Sequence, residues 1–517
     1  MFRSRLCKRM PVNSEFQMYL NILVPNWTTL GILPLLILVC YIYINFIHSY
    51  WKRRGIPYEK PYLLTGSLWK VFSGKRHVGK HLGDLYRKFD GPYFGIYVCG
   101  QPYLVIRSPD IIKDITIRDF SNFEDRTFAC DKNADDMAGN SLFILRNPEW
   151  RSVRVKLTNI FTSAKIKQMF PVMLQIAEDV QHYAETHNNE IIELKDLSSK
   201  YMTDLVARCF FGIEIRSFVE TKVTPFRKVC IDVVNVTIFR SFCLFCYFFL
   251  PKLVSLLRLK FLNTKYLKEV FLETLSIREK TGFLRNDFVD LLINVRKTFA
   301  NTEGLTFDTT SMVSQAITFF IAGFETSSNL LAFTLYELSL HPECLEKLRK
   351  EIFKMFPDET SPLAFDKLQQ FTYLDMVIAE VLRRYPFAPF LNRNCKEDYV
   401  ISQTGFKIKK GTPILIPMDG VHYDPNYYKN PEKFDPERFR DNFKHFTSTC
   451  VYLPFGMGPR NCIGDRFAQI ITKVCIIYMI KNFTVEKCHL TPDPVVLNPK
   501  SPFPLPMHGL KVKLRKL

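Results

Sequence analysis

The hydrophobic pattern changes character several times along the chain. Leu30 to Ile47 is an uncharged, largely apolar run of eighteen residues, with Trp27 before it and Tyr50 and Trp51 after it. That length and those flanks predict a membrane-spanning helix with aromatic belts, interrupted mildly by Pro34. A basic, proline-containing stretch comes next (Lys52-Arg53-Arg54-Gly55-Ile56-Pro57). Strict alternation then appears in Tyr93–Val98 and in Tyr103–Arg107, a predicted β-hairpin across Gly100. Beyond it most of the chain has helical periodicity. Val313, Ala316, Ile317, Phe320, Ile321 and Phe324 recur at three and four within a helix predicted over Asp308–His341, ended by Pro342. Leu374, Val377, Ile378, Val381 and Leu382 mark another helix, closed by Tyr385-Pro386. The segment Pro386–Asn392 cannot be helical. Phe242–Leu250 is too short to span a bilayer, and reads equally as a core segment or as an edge dipping into lipid.

No linker, repeat or low-complexity tract divides the chain beyond the hinge. The expected organisation is an N-terminal segment and anchor over 1–51, a basic, proline-containing hinge over 52–66, and one large catalytic domain over 67–517. The fold class is mainly α with small β-sheets.

Lys and Arg number 70 against 51 Asp and Glu, a net charge of +19. Such an excess suits acidic proteins or anionic lipid; no zinc-finger, RRM-like or helix-turn-helix signature accompanies it, so nucleic acid is not expected. The N-terminus carries Arg3, Arg5, Lys8 and Arg9 without an acid, so both flanks of the apolar run are basic and orientation is ambiguous. A start at Met18 would remove that ambiguity. Fourteen cysteines at irregular spacing in a long chain read as reduced thiols, and Cys243/Cys246 as packing rather than zinc ligands.

The chemistry concentrates near the C-terminus, in Phe455-Gly456-Met457-Gly458-Pro459-Arg460-Asn461-Cys462-Ile463-Gly464. Three glycines give the turn backbone freedom, and Cys462 lies just ahead of a predicted helix N-terminus, a position that favours thiolate. With Arg460 two residues earlier, this suits the axial ligand of a haem whose propionates need a cation. In the middle of the Asp308–His341 helix stands Ala322-Gly323-Phe324-Glu325-Thr326-Ser327. Gly323 opens the helix surface, Thr326 can bond back to the carbonyl of Ala322, and Glu325 adds a carboxyl. Together they could hold a small ligand and relay protons to it.

These two motifs, with Trp150-x-x-x-Arg154, Glu380-x-x-Arg383 and Pro436-Glu437-Arg438-Phe439 in the same order, resemble the cytochrome P450 family, particularly its microsomal insect members that metabolise xenobiotics. The resemblance covers the chain after the anchor. It implies haem b with Cys462 as iron ligand, and haem contacts from Phe455, Trp150, Arg154, Arg393 and Arg460. It implies oxygen activation at Gly323, Glu325 and Thr326, and a buried Glu380–Arg383–Arg438 cluster that fixes the fold. The implied reaction is insertion of one atom of O2 into a lipophilic molecule. Electrons would come from NADPH through cytochrome P450 reductase, with cytochrome b5 as an optional donor. The implied location is the endoplasmic reticulum membrane, with the catalytic domain cytosolic. A haem-thiolate isomerase or dehydratase, and a haem sensor without enzymatic activity, are the alternatives. Two departures stand out: Met457, where the family often has an acid, and Asp465, where it usually has an apolar residue.

Overall fold

The computed structural model describes residues 27–220, 222–235, 237–260, 263–285, 287–299, 307–356 and 362–517. The basic N-terminal residues and Met18 lie outside them. The apolar run forms α1 (Trp27–His48), which includes Pro34. Leu35, Leu36, Val39, Ile42 and Phe46 on it are all more than half exposed. Trp51 does not sit at the rim of this helix. It is fully buried against the sheet of the body, which corrects its expected place in an aromatic belt.

The hairpin is present as β1 (Tyr93–Val98) and β2 (Gln101–Ile106). Its second strand starts earlier than expected, because the turn is only Cys99-Gly100, both at positive φ (47° and 82°). Next come α2 (Glu149–Thr158), α3 (Leu194–Val206) and α4 (Ile238–Phe249). The run that could be core or lipid edge is therefore amphipathic. Cys243, Cys246, Tyr247 and Phe249 face inward, while Ile238, Phe239 and Phe242 are exposed.

The long apolar pattern is a single helix, α5 (Thr309–Leu340), started by Asp308, whose carboxylate accepts from Ser311 N at 2.8 Å. By length and hydropathy α5 could cross a membrane, but 72% of its most apolar window is buried. It is the core helix, packed against α3 on one side and against α6 (Thr372–Arg384) and α7 (Asp465–Asn482) on others. Pro386 ends the helical text as expected, and the chain turns into β3 (Phe390–Asn394), which pairs antiparallel with β4 (Pro413–Pro417). The main sheet runs β1-β2-β4-β3, with β2 and β4 parallel. A three-stranded sheet (Ile191–Glu193, Phe483–Lys487, Lys511–Lys516) and a two-stranded one (Tyr399–Val400, Lys407–Ile408) complete the β content. Every described cysteine is a free thiol.

Candidate haem-thiolate site

The loop Phe455–Gly464 is held by its own backbone and by three other elements. Cys462 N donates to Phe455 O at 2.7 Å, closing the loop across eight residues, and Asn461 N donates to Gly458 O at 3.0 Å, closing a tight turn inside it. Gly458 has φ +71° and lies so close to Thr116 that a Cβ would stand 1.8 Å from that carbonyl oxygen. No other residue fits there. Gly456 also has φ +74°. Gly464 does not need its expected freedom: its φ of −101° is one that other residues adopt, and it merely precedes α7.

Arg154, one turn after Trp150 on α2, donates to Asn461 O at 2.9 Å and to Asn461 Oδ1 at 2.8 Å, so α2 grips the residue next to Cys462. Arg460 is buried, with its guanidinium over the Trp150 ring, 4.0 Å from the centroid. It donates to Glu124 O and Leu145 O, and its Nη1 is buried without a partner. Arg393, on β3, is 2% exposed. It donates to Asn392 O, and its Nε is unpartnered. Arg126 joins them, donating to Phe143 O at 2.8 Å and covering the Phe143 ring at 4.1 Å. Burial, and then the charges of Arg393, Arg460 and Arg154, push the Arg126 guanidinium well below its usual range. Burial first, and then Arg393, bring Arg460 down to about 9; burial alone brings Arg393 to about 10. The one carboxylate ion-paired with this group is Asp125, 3.4 Å from Arg460, among the described residues. Four guanidiniums are grouped here, Arg126 and Arg154 near enough to act on the Cys462 sulfur and Arg393 and Arg460 with unused buried N–H groups, and they form a cradle for a bulky dianion. A haem, with two propionates, fits that charge and those donors. Arg126 carries no motif of its own; only folding brings it beside Arg460, so the sequence reading missed it.

Cys462 is accessible by surface area, yet burial pushes its thiol up to about 11. Both hold together when the sulfur faces an internal space lined by protein. The Gly464 N–H pulls the thiol down and the Asp465 carboxylate raises it further. The helix terminus thus does not by itself outweigh dehydration. A coordinated cation is what would keep this sulfur a thiolate.

A second opening appears in α5. Residues on either side of it are buried, but Ala322 is exposed, and Thr318, Ile321, Gly323 and Thr326 are half-exposed. A Cβ on Gly323 would meet nothing within 4 Å. Thr326 Oγ1 donates to Ala322 O at 2.5 Å, as expected, which leaves its lone pairs free. Glu325 is placed differently from its two partners. It is buried between α3 and α5, where Lys195 Nζ donates to Oε2 at 3.2 Å and Asn329 to Oε1 at 3.0 Å. Lys195 also donates to Ser328 Oγ at 2.6 Å, and burial lowers its pKa against the opposing pull of Glu325. Lys195 is a second residue that no local signal marks.

Behind the loop, Arg383 forms a fork on Glu380 at 2.8 Å, and Arg438 reaches the same carboxylate at 3.1 Å; Glu380 and Arg383 are fully buried. Arg383 donates to His422 O, and His422 Nδ1 meets Arg383 O at 3.1 Å. His422 Nε2 accepts from Leu453 N at 2.9 Å, two residues before Phe455. His422 therefore ties the buried ion cluster to the cysteine loop. Burial, with Arg383 adding to it, lowers His422 to about 3 and keeps it neutral.

Residues 56–514 match the family model for cytochrome P450. The chain is 37% identical over 493 residues to cytochrome P450 6k1 of Blattella germanica, covering 91% of this chain and 94% of that one. It is 34% identical to probable cytochrome P450 6a13 of Drosophila melanogaster, over 93% and 97% of the two chains. It is 32% identical to cytochrome P450 9e2 of Blattella germanica, over 92% and 95%.

Proposed function

This chain belongs to the cytochrome P450 family and is a monooxygenase, and we propose that it oxidises lipophilic small molecules at a membrane surface with electrons passed from NADPH by a flavoprotein reductase. The observation that carries the reading of its substrates is the accessible stretch of α5. Thr318, Ile321, Ala322, Gly323 and Thr326 offer no charge, and the one acid next to them, Glu325, is buried and already held by Lys195 and Asn329. A charged substrate would find no counter-ion on that stretch, whereas an apolar one loses nothing by leaving water.

In this reading Cys462 ligates the haem iron, and Arg126, Arg154, Arg393, Arg460 and Trp150 hold the propionate side, with Phe455 packing beside the ring. Bound haem supplies the site at which O2 is held and its O–O bond cleaved. The protein's part is positional. Gly323 leaves room beside α5, and Thr326 presents a hydroxyl whose own proton is directed to Ala322, so that Oγ1 accepts and holds a donor proton. Glu325 contributes through its pair with Lys195: its carboxylate accepts from the Lys195 ammonium next to the open stretch and holds that cation in place.

Membrane attachment rests on surface chemistry. Beyond the exposed α1, Tyr62 meets Trp69 and Phe72 meets Phe245, and Ile238, Phe239 and Phe242 of α4 are exposed apolar residues. Such residues are favourable in an interfacial region of lipid and costly in water. We place the protein on the endoplasmic reticulum membrane with its body in the cytosol, and cytochrome b5 as an optional donor.

The test is a reduced carbon-monoxide difference spectrum combined with turnover. A thiolate-type band is expected in the wild type and none in Cys462→Ala. Oxidised products from a lipophilic panel should require both NADPH and reductase. Retention of the band in Cys462→Ala would overturn the ligand assignment. Turnover of peroxides without reductase would favour a rearranging enzyme instead.

A further inference from the structure

Glu325 and Thr326 are neighbours in sequence, but α5 turns them to different surroundings. Thr326 is half-exposed on the open stretch, whereas Glu325 is buried against α3. Its carboxylate oxygens are divided between Lys195 Nζ, 3.2 Å from Oε2, and Asn329 Nδ2, 3.0 Å from Oε1. Lys195 holds this residue from two ends. Besides the carboxylate it donates to Ser328 Oγ at 2.6 Å, and Ser328 Oγ donates to Glu325 O at 3.1 Å. One ammonium thus fixes the acid's side chain and, through Ser328, the helical turn that follows it. The two side chains are only 11% and 9% exposed. A buried pair of this kind adds little net stability when intact, so packing alone does not require it.

Behind the pair the seam between the helices is cationic. Lys195, Ser199 and Thr203 stand at i, i+4 and i+8 on α3 and form one buried stripe. Arg227, from the helix Pro225–Val234, fills the two turns after Lys195. Its guanidinium donates to Ser199 Oγ at 2.6 Å, to Thr203 Oγ1 at 2.8 Å and to Asp196 Oδ1 at 3.0 Å. Arg240 of α4 also feels the Glu325 charge, and donates to Asp232 O and Asn235 O. The stripe reaches solvent at Asp196, whose side chain is 50% exposed. A proton moving inward from Asp196 to Glu325 would pass the fixed charges of Arg227 and Lys195, so that route is electrostatically closed. Glu325 is not reloaded with protons from behind.

We propose that Lys195 is a positioning residue for oxygen activation: it holds the Glu325 carboxylate against α3, where the acid serves the Thr326 opening as a fixed negative charge and not as a moving carrier of protons. This role rests on, and deepens, the oxygen-activating reading of α5 given above. The carboxylate is on α5 itself and the ammonium reaches in from α3, so the pair is a dipole whose negative end lies nearer the opening. Protons arrive from the accessible side, along Thr326, and that negative end favours their presence there. Without the cation, a carboxyl buried at this place takes up a proton and the fixed charge is lost.

The experiment uses the full chain with haem and reductase in vesicles, supplied with NADPH and no added substrate. Each O2 then leaves either as peroxide, having taken two electrons and two protons, or as two waters, having taken four of each. Lys195→Met is expected to raise the peroxide-to-water ratio about three- to tenfold, and Lys195→Arg, which keeps the cation, to stay near wild type. Glu325→Gln should match Lys195→Met, and the double variant should exceed neither. Infrared difference spectra read the acid directly: Lys195→Met should gain a protonated-carboxyl band that Lys195→Met/Glu325→Gln lacks. Should Lys195→Met lose haem, the double variant, which strands no charge, takes its place in the comparison with Lys195→Arg. An unchanged or lower ratio on removal of the cation would show that the acid is a carrier which Lys195 restrains, and would overturn the inference. Wild type that has the thiolate-type band but oxidises no NADPH would instead overturn the reductase reading. The infrared spectra then decide for Lys195, since absence of the new carboxyl band would overturn its role.

Discussion

At the scale of single residues, the site depends on a few positions where geometry admits one side chain. Gly458 is the clearest, since both its φ of +71° and the Thr116 carbonyl exclude a Cβ. Gly458→Ala is expected to destabilise by about 2 kcal/mol or more and to lower haem retention, because the turn presenting Cys462 must shift. A denaturant midpoint and the haem-to-protein ratio would measure this. Gly464→Ala, at an ordinary φ, is the control that should cost less in the apoprotein's midpoint. The cysteine illustrates a competition among small terms. The Gly464 N–H and the nearby arginines favour thiolate, burial and Asp465 oppose it, and burial is the largest. The unusual Asp465 therefore acts in the direction its charge implies, but it is not the main influence on the sulfur.

At the scale of elements, the loop is supported from two sides by different physics. On the side of α2, Arg154 spends its N–H groups on Asn461, which makes that arginine a brace of the loop as well as a cation of the cradle. On the side of α6, Glu380 accepts from Arg383 and from Asp435 N and is ion-paired with Arg438. A buried ion cluster of this kind contributes little to net stability when intact, but losing one member leaves charge stranded. Glu380→Ala leaves Arg383 and Arg438 facing each other without their shared acid. It is expected to cost about 3–5 kcal/mol, read as a lower denaturant midpoint with loss of the carbon-monoxide band. An unchanged midpoint would mean that the two arginines find water or carbonyl partners good enough to replace the carboxylate.

At the scale of the whole molecule, two buried histidines make stability depend on pH. Burial lowers His422 to about 3 and His77 to about 4, both from an ordinary value near 6.5. Folded protein leaves both neutral, whereas the unfolded chain binds protons on them below about pH 6.5. Between those limits the unfolded state holds more protons, so stability falls as pH falls, at ~1.4 kcal/mol per pH unit for each group. The loss begins near pH 6.5 and is complete for His77 by about 4 and for His422 by about 3. Unfolding titrations between pH 7 and pH 5 should show His422→Gln with a slope smaller than wild type by about one proton. Equal slopes would show that His422 is not held neutral.

Much of this was legible in the chain itself. Local rules are enough for the hairpin, for α5 with its Asp308 cap, for the stop at Pro386 and for the Cys462 turn, because period, capping and glycine geometry act over a few residues. The Gly323–Thr326 opening was readable for the same reason. What the sequence could not determine is which distant groups share one space. Arg126 reaches the cradle only because its segment packs beside Arg460. Glu325 faces Lys195 because α3 lies along α5. His422 joins two motifs that nothing in their spacing relates. Trp51, placed by local pattern at a lipid rim, is buried because Gly95, forty-four residues later, leaves a slot of its shape. Propensity and periodicity decide conformation along the chain. Burial, charge and shape between remote segments are decided only when they pack, and it is there that the cysteine turn gains the buried arginines on which its proposed role as a haem site rests.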